Sequence, residues 1–278
     1  MYTIEVNSYD QWRNHARELL RRAIPADQIH WQTTTMSASL FEDASSYLQL
    51  AIQQPKPSIT AAFFELADSV ACFRDEQRWP LLYSIAWRIT YENRQLLEHR
   101  IDPQIAQAYS MAKSVHRDQH KMKAFVRFKQ IHSENPQAVP NSILQPSEDY
   151  YLAWFQPEHL IVRSIAPFFR KRFSNMNWSI VTPDLSVHWN QKSLSFTDGS
   201  HQAPKTEDQL ESLWLEYYAN IFNPARLKLK AMQKEMPKKY WINLPEAPLI
   251  APLTRNAGKR VDEMISDSRE LTKLPIKR

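Results

Sequence analysis

Along the first hundred residues, apolar positions recur every three or four places. In "SYDQWRNHARELLRRA" Trp12, Ala16, Leu19 and Leu20 share one helical face, with Ser8 placed to cap the helix and Pro25 to stop it. "PSITAAFFELADSVACF" and "QRWPLLYSIAWRITYENRQLLEH" continue the helical period, while "HWQTTTMSASLFED" opens as a short strand candidate. Asp102-Pro103, in the order cap then proline, begins a helix running toward residue 122.

Beyond that helix the period shortens to two. "AFVRFKQI", "DYYLAWFQ", "NWSIVT", "SVHWN" and "SLSFTD" predict five short strands, the first two separated by the loop "HSENPQAVPNSILQPSED". Pro157 is predicted to open a helix over "PEHLIVRSIAPFFRKRF", kinked at Pro167. Thr206 and Gln209 form a capping-box pattern before a helix "LESLWLEYYANIF", and a basic helix "ARLKLKAMQKEM" follows Asn223-Pro224. The order predicts an α+β fold: a helical N-terminal part, then a mainly antiparallel sheet of about five short strands flanked by helices. Such closely spaced strands favour hairpins over βαβ crossovers. Residues 1–100 read as the mostly helical region, 101–252 as the α+β core and 253–278 as a flexible basic tail.

Composition removes several functions. Only two glycines occur, Gly199 and Gly258. A P-loop, a GxGxxG dinucleotide turn and a GxSxG nucleophile elbow each need glycine where the backbone turns sharply or approaches phosphate. No nucleotide cofactor is therefore expected. The single cysteine, Cys72, excludes a finger-type zinc site and any internal disulfide. No segment has the length of a membrane span, and the N-terminus has no signal-peptide pattern, so a cytoplasmic protein without a membrane partner is expected. The net charge of +5 points to a polyanion only where the cations cluster.

They cluster in "AKSVHRDQHKMKAFVRFKQIH". At about 100° per residue, Ile105, Ala108, Tyr109, Ala112, Val115 and Met122 form one helical face with His116 at its edge. Lys113, Arg117, His120 and Lys121 form a basic stripe. His116 and His120 are four apart, but Arg117 stands where the zincin pattern needs glutamate, so no metal site is expected. "KMKAFVRF" matches the RNP1 signature of RNA-recognition domains at Lys121, Ala124, Phe125, Val126 and Phe128, yet Met122 and Lys123 replace its glycine and first stacking aromatic. As a strand, the segment would set Lys123, Phe125, Arg127 and Lys129 on one face, an aromatic among cations suited to a sugar–phosphate chain with a stacked base. Further cations follow at Arg170, Lys171 and Arg172 and at Arg226, Lys228, Lys230, Lys234, Lys238 and Lys239.

Candidate chemistry is sparser. Glu158-His159 at a predicted helix start, with His120, could serve as acid–base groups, although a glutamate there also suits the helix dipole. "TPDLSVHWNQK" echoes a PD…(D/E)xK nuclease through Asp184 and Lys192, but Asn190 replaces the second carboxylate, and the stretch reads as a turn between strands.

Four longer stretches, "MAKSVHRDQHKMKAFVRF", "AWFQPEHLIVRSIAPFFRKRFSNMNWSIVTPD", "LWLEYYANIFNPARLKLKAM" and "EMPKKYWINLPEA", resemble a bacterial family associated with DNA metabolism and DNA repair and built on a domain of unknown function. The family is typically encoded beside a radical-SAM DNA-repair protein and is sometimes fused to a uracil-DNA-glycosylase-like domain. Within those motifs stand His116, Arg117, Asp118, His120, Lys121, Glu158, His159, Arg226, Lys238, Lys239 and Tyr240. The resemblance implies a DNA-binding protein that presents single-stranded or damaged DNA to a radical-SAM partner. Two alternatives stay open: an enzyme acting directly on damaged or modified DNA through His and Glu, and a structural partner of an acidic protein.

Overall fold

In the computed structural model, which describes residues 1–33, 46–53, 56–131, 150–201, 215, 232, 236–244 and 247–255, the chain divides into two units. Unit 1 is Met1–His120 with Pro157–Ile165; unit 2 is Lys121–Gln156 with Ala166–Arg278.

Unit 1 begins with strand β1 (Tyr2–Glu5), helix α1 (Tyr9–Arg21) and strand β2 (Ile29–Gln32). The strands pair in parallel, Ile4 opposite Trp31, with α1 as the crossover between them. Ser8 caps α1 through its Oγ, which accepts from the Gln11 amide at 3.3 Å. Trp12, Ala16, Leu19 and Leu20 are buried as their spacing requires. Trp12 stacks on Trp79 and tilts against Trp31, each with ring centroids 6.1 Å apart, and its indole N–H donates to the Trp79 carbonyl at 3.2 Å. Helices α2 (Ala61–Ala71), α3 (Arg78–Tyr91) and α4 (Pro103–Phe125) follow. Asp102 caps α4, accepting from the amides of Gln104 and Ile105 at 3.0 and 3.2 Å.

Unit 2 holds a five-stranded sheet whose spatial order matches its sequence order: β3 (Lys129–Ile131), β4 (Tyr150–Trp154), β5 (Asn177–Val181), β6 (Leu185–Trp189) and β7 (Leu194–Asp198). Three of the four pairings are antiparallel, which makes the fold α+β with a mostly antiparallel sheet. The exception is β4–β5, a parallel pair with helix α5 (Val162–Arg172) between its strands in sequence. One βαβ crossover therefore stands in a sheet where the close spacing favoured hairpins. Helix α6 (Ala247–Arg255) is the last described element. Phe128, Phe169, Phe173 and Trp178 pack together beside the sheet, the Phe128 ring 5.1 Å from Phe173 and 5.8 Å from Trp178.

Two further expectations are corrected. The strand read from residue 124 is helical through Phe125, and the Val126 amide still bonds the Met122 carbonyl, so only Lys129–Ile131 forms β3. The helix read from Pro157 starts at Val162. In between, the His159 amide donates to Asp118 and the Leu160 amide to the Cys72 carbonyl, so these donors are committed outside any helix. The N-terminal region is mostly helical, as its period predicts, and the strand candidate at His30–Gln32 falls in β2, which pairs with β1. The loop at 132–149 and the tail from 256 lie outside the described residues. So do the helices read at 210–222 and 225–236, except for Leu215, Met232 and Met236.

Candidate functional site

In unit 1, Lys113, Arg117 and His120 are exposed along α4. His116 is engaged with α2, its Nε2 lying 3.0 Å from the Ser69 hydroxyl. Asp118 is buried at 2% exposure, and its carboxylate accepts from the His159 amide at 2.9 Å. The His159 ring stacks on Phe73 with centroids 4.5 Å apart and brings Nε2 to 2.9 Å from the Ser114 hydroxyl. Serine, histidine and aspartate thus converge, but in the wrong order for nucleophilic catalysis. A triad needs the carboxylate on the imidazole N–H, whereas Asp118 holds the backbone N–H of the same residue. The arrangement clamps the 157–161 segment.

Glu158 is exposed while His159 is buried, and the Glu158 carbonyl accepts from the Arg74 guanidinium at 2.8 Å. Among the described residues no group of three or more His, Cys, Asp or Glu is placed to hold a metal ion. Asp184 and Lys192 flank opposite ends of β6, and the Asn190 carboxamide accepts from the amides of Lys192 and Ser193, an Asx turn.

In unit 2 the basic and aromatic residues are sorted differently from the sequence reading. Phe125 does not face solvent among cations; it stacks on Tyr240, which stacks in turn on Phe155, with centroids 5.6 and 5.5 Å apart. Lys121 is buried at 8% exposure, its ammonium 5.9 Å from the Phe125 ring. Among the described residues of unit 2, Phe168 on α5 is the exposed aromatic, 40% accessible, with the Lys123 ammonium 4.9 Å from its ring centroid. Lys171 and Arg172 follow Phe168 by three and four residues and share its side of the helix. With Arg170 they occupy the last turn, where the helix dipole favours cations.

Arg127 is exposed and donates to the Ala124 and Val126 carbonyls at 2.8 and 3.3 Å, closing the end of α4. Lys129 is half-buried in β3, and Lys238 is exposed. Arg226 and the Lys239 side chain lie outside the described residues. Among the described residues the fold thus brings the predicted cation Lys123 to the exposed Phe168, with Lys171 and Arg172 on the same side of α5, within a single unit.

A family model for a domain of unknown function, DUF4130, matches residues 76–246. The chain belongs to the DUF4130 family. No curated protein and no solved structure gives a match.

The DUF4130 match takes in α3, α4, α5 and the whole five-stranded sheet, and with them Asp118, His159 and Phe168. The β1–α1–β2 segment and α2 precede it. The matched region also contains a polar chain, buried from Tyr150 to His188 and ending at the exposed Thr197, that sequence reasoning missed. The Tyr150 hydroxyl meets the Ser179 hydroxyl, which meets His188 Nδ1, and His188 Nε2 lies 2.8 Å from the Thr197 hydroxyl. These four residues come from β4, β5, β6 and β7, so one hydrogen-bonded line crosses four strands. Burial pushes the His188 imidazole below its ordinary pKa and the Tyr150 phenol above its own. Only the polar interruption in "SVHWN" hinted at it. Phe168 was passed over because "APFFRKRF" does not show which of two adjacent phenylalanines faces outward.

Proposed function

We propose that this DUF4130 protein binds DNA in a bacterial DNA-repair or DNA-metabolism pathway and presents single-stranded or damaged DNA to a radical-SAM partner enzyme. The observation that carries the DNA-binding reading is the Lys123–Phe168 pair with Lys171 and Arg172 beside it. An exposed ring offers an unpaired base a stacking surface that is indifferent to sequence, and three adjacent cations meet the phosphates on either side. A folded duplex hides its base faces, so the same patch favours single-stranded or distorted DNA. The partner and the pathway rest on the family resemblance of the motifs between residues 109 and 247.

The test is fluorescence anisotropy with single- and double-stranded oligonucleotides over a salt series. Single strands should bind more tightly, with affinity falling steeply as salt rises. Phe168→Ala should weaken single-strand binding about tenfold, as expected for one lost stacking contact of roughly 1–3 kcal/mol. The absence of binding near physiological salt would refute the proposal for the isolated protein. Co-purification with the radical-SAM protein, with and without DNA, tests the partner.

A further inference from the structure

Unit 1 contains a cavity of about 340 Å³, bounded by α1, the 56–59 segment, α2 and one residue of α3, Ala86. Nearly all of it precedes the family match. Its walls include the buried side chains of Trp12, Leu20 and Phe63, and Phe64, 39% exposed, lines it as well. Its polar lining is of one sign. Arg13, Arg17 and Arg21 repeat every four residues along one side of α1, and Lys56 joins them from the neighbouring segment.

These four cations are unequally compensated. Arg21 is held by Glu18 at 2.9 Å, and Arg13 lies in the field of Asp68. Arg17 and Lys56, both exposed, have neither an ion pair nor a hydrogen bond among the described residues. An apolar cavity of ligand size with two uncompensated cations in its lining is complementary to a molecule with an apolar body and an anionic head. A cationic ligand would meet like charge, and a neutral one would leave the arginine and lysine unanswered.

We propose that this cavity binds a small amphipathic anion, its hydrocarbon or ring held against Trp12, Leu20 and Phe63 and its carboxylate or phosphate head held by Arg17 and Lys56. The site is independent of the DNA surface proposed for unit 2, and each can fail without the other.

The experiment is isothermal titration of the full chain with four probes sharing an eight-carbon body: octanoate, octyl phosphate, octylamine and octanol. At least one anion should bind, at least ten times more tightly than octylamine or octanol, and the better of the two identifies the head group. Arg17→Gln combined with Lys56→Gln should weaken the anion at least tenfold, and Phe64→Ala should weaken it independently. All three positions are exposed, and circular dichroism would confirm that the variants keep their fold. Phe168→Ala should leave the anion's affinity unchanged. The proposal is overturned if neither anion binds by millimolar concentration, if octylamine binds equally well, or if the charge variants bind octanoate and octyl phosphate like the parent. Displacement of the bound anion by a single-stranded oligonucleotide would also overturn it, by assigning the cavity to DNA.

Discussion

The Arg88 guanidinium and the Asp102 carboxylate meet fork to fork, Nη1 to Oδ1 at 3.1 Å and Nη2 to Oδ2 at 2.7 Å, while the same carboxylate caps α4. Arg88 also donates to the Gln104 side chain, so the start of α4 is tied to the end of α3. Asp102→Ala should cost about 2 kcal/mol, near 1 for the cap and the rest for a partly buried bidentate pair. Asp102→Asn keeps the capping oxygen and should cost about half as much. The arginine's hydrogen bond holds the Asp102 carboxyl below its ordinary pKa. Its contribution is therefore complete above the unfolded carboxylate value and fades as pH falls through the lower folded one. Urea unfolding of parent and Asp102→Asn at pH 7 and pH 3 should show a difference that shrinks in acid.

Ala23 ends α1 in the left-handed region at φ 53°, in a Schellman arrangement where the Ile24 amide bonds the Leu19 carbonyl and the Ala23 amide bonds that of Leu20. A Cβ there costs about 1 kcal/mol that glycine would not. Ala23→Gly should raise the stability of this glycine-poor chain by a few tenths of a kcal/mol, after the added freedom of the unfolded state, about 0.4–1 kcal/mol, is counted. A lower urea midpoint in Ala23→Gly would contradict this.

Phe168 and Phe169 are neighbours with opposite surroundings, 40% and 2% exposed. Phe169→Ala removes a ring packed on Phe128, Phe173 and Trp178 and should cost about 3–5 kcal/mol. Phe168→Ala should change stability by less than about 1 kcal/mol while weakening single-stranded DNA. Thermal melts paired with anisotropy separate the two effects. Equal destabilisation by both would place Phe168 in the core.

His188 gives the sheet a pH dependence. Its folded pKa is lowered by burial, so between the unfolded value, about 6.5, and the lower folded one, the unfolded chain takes up a proton that the native sheet does not. Stability should fall as pH drops from 7 toward 5, by at most about 1.4 kcal/mol per pH unit for this residue. His15, also lowered by burial, adds to the same slope from unit 1. His188→Gln should flatten the dependence without abolishing it, as read by melting temperature across that range. An unchanged slope would remove His188 from the account.

The elements legible in the sequence are those where one period runs unbroken. Trp12–Ala16–Leu19, Asp102-Pro103 and the four strands from β4 to β7 lie where spacing placed them. The misreading at Phe125 arose from two periods overlapping. Ala124, Val126 and Phe128 alternate like a strand, while Met122 and Val126 extend the buried helical face begun at Ile105. Stacking of Phe125 on Tyr240, more than a hundred residues away, accompanies the helical outcome. The binding surface was legible as a composition of cations and rings but not as a set of neighbours. Lys123 and Phe168 are 45 residues apart, and only the tertiary fold of unit 2 brings them together. The unit 1 cavity left no motif, because its cations sit at helical spacing that also fits an ordinary solvated face.

Because the strands of the five-stranded sheet stand side by side in the order in which they are made, the sheet can be assembled as the ribosome delivers it. Each new strand finds its template already in place at the growing edge, and none has to be inserted between two that have paired. Two of the joins, β5–β6 and β6–β7, need only a short search, and the parallel step closes over a segment that includes its own helix. A chain interrupted after β5 would keep every pairing made up to that point, and one lacking β7 would lose a border, not a centre.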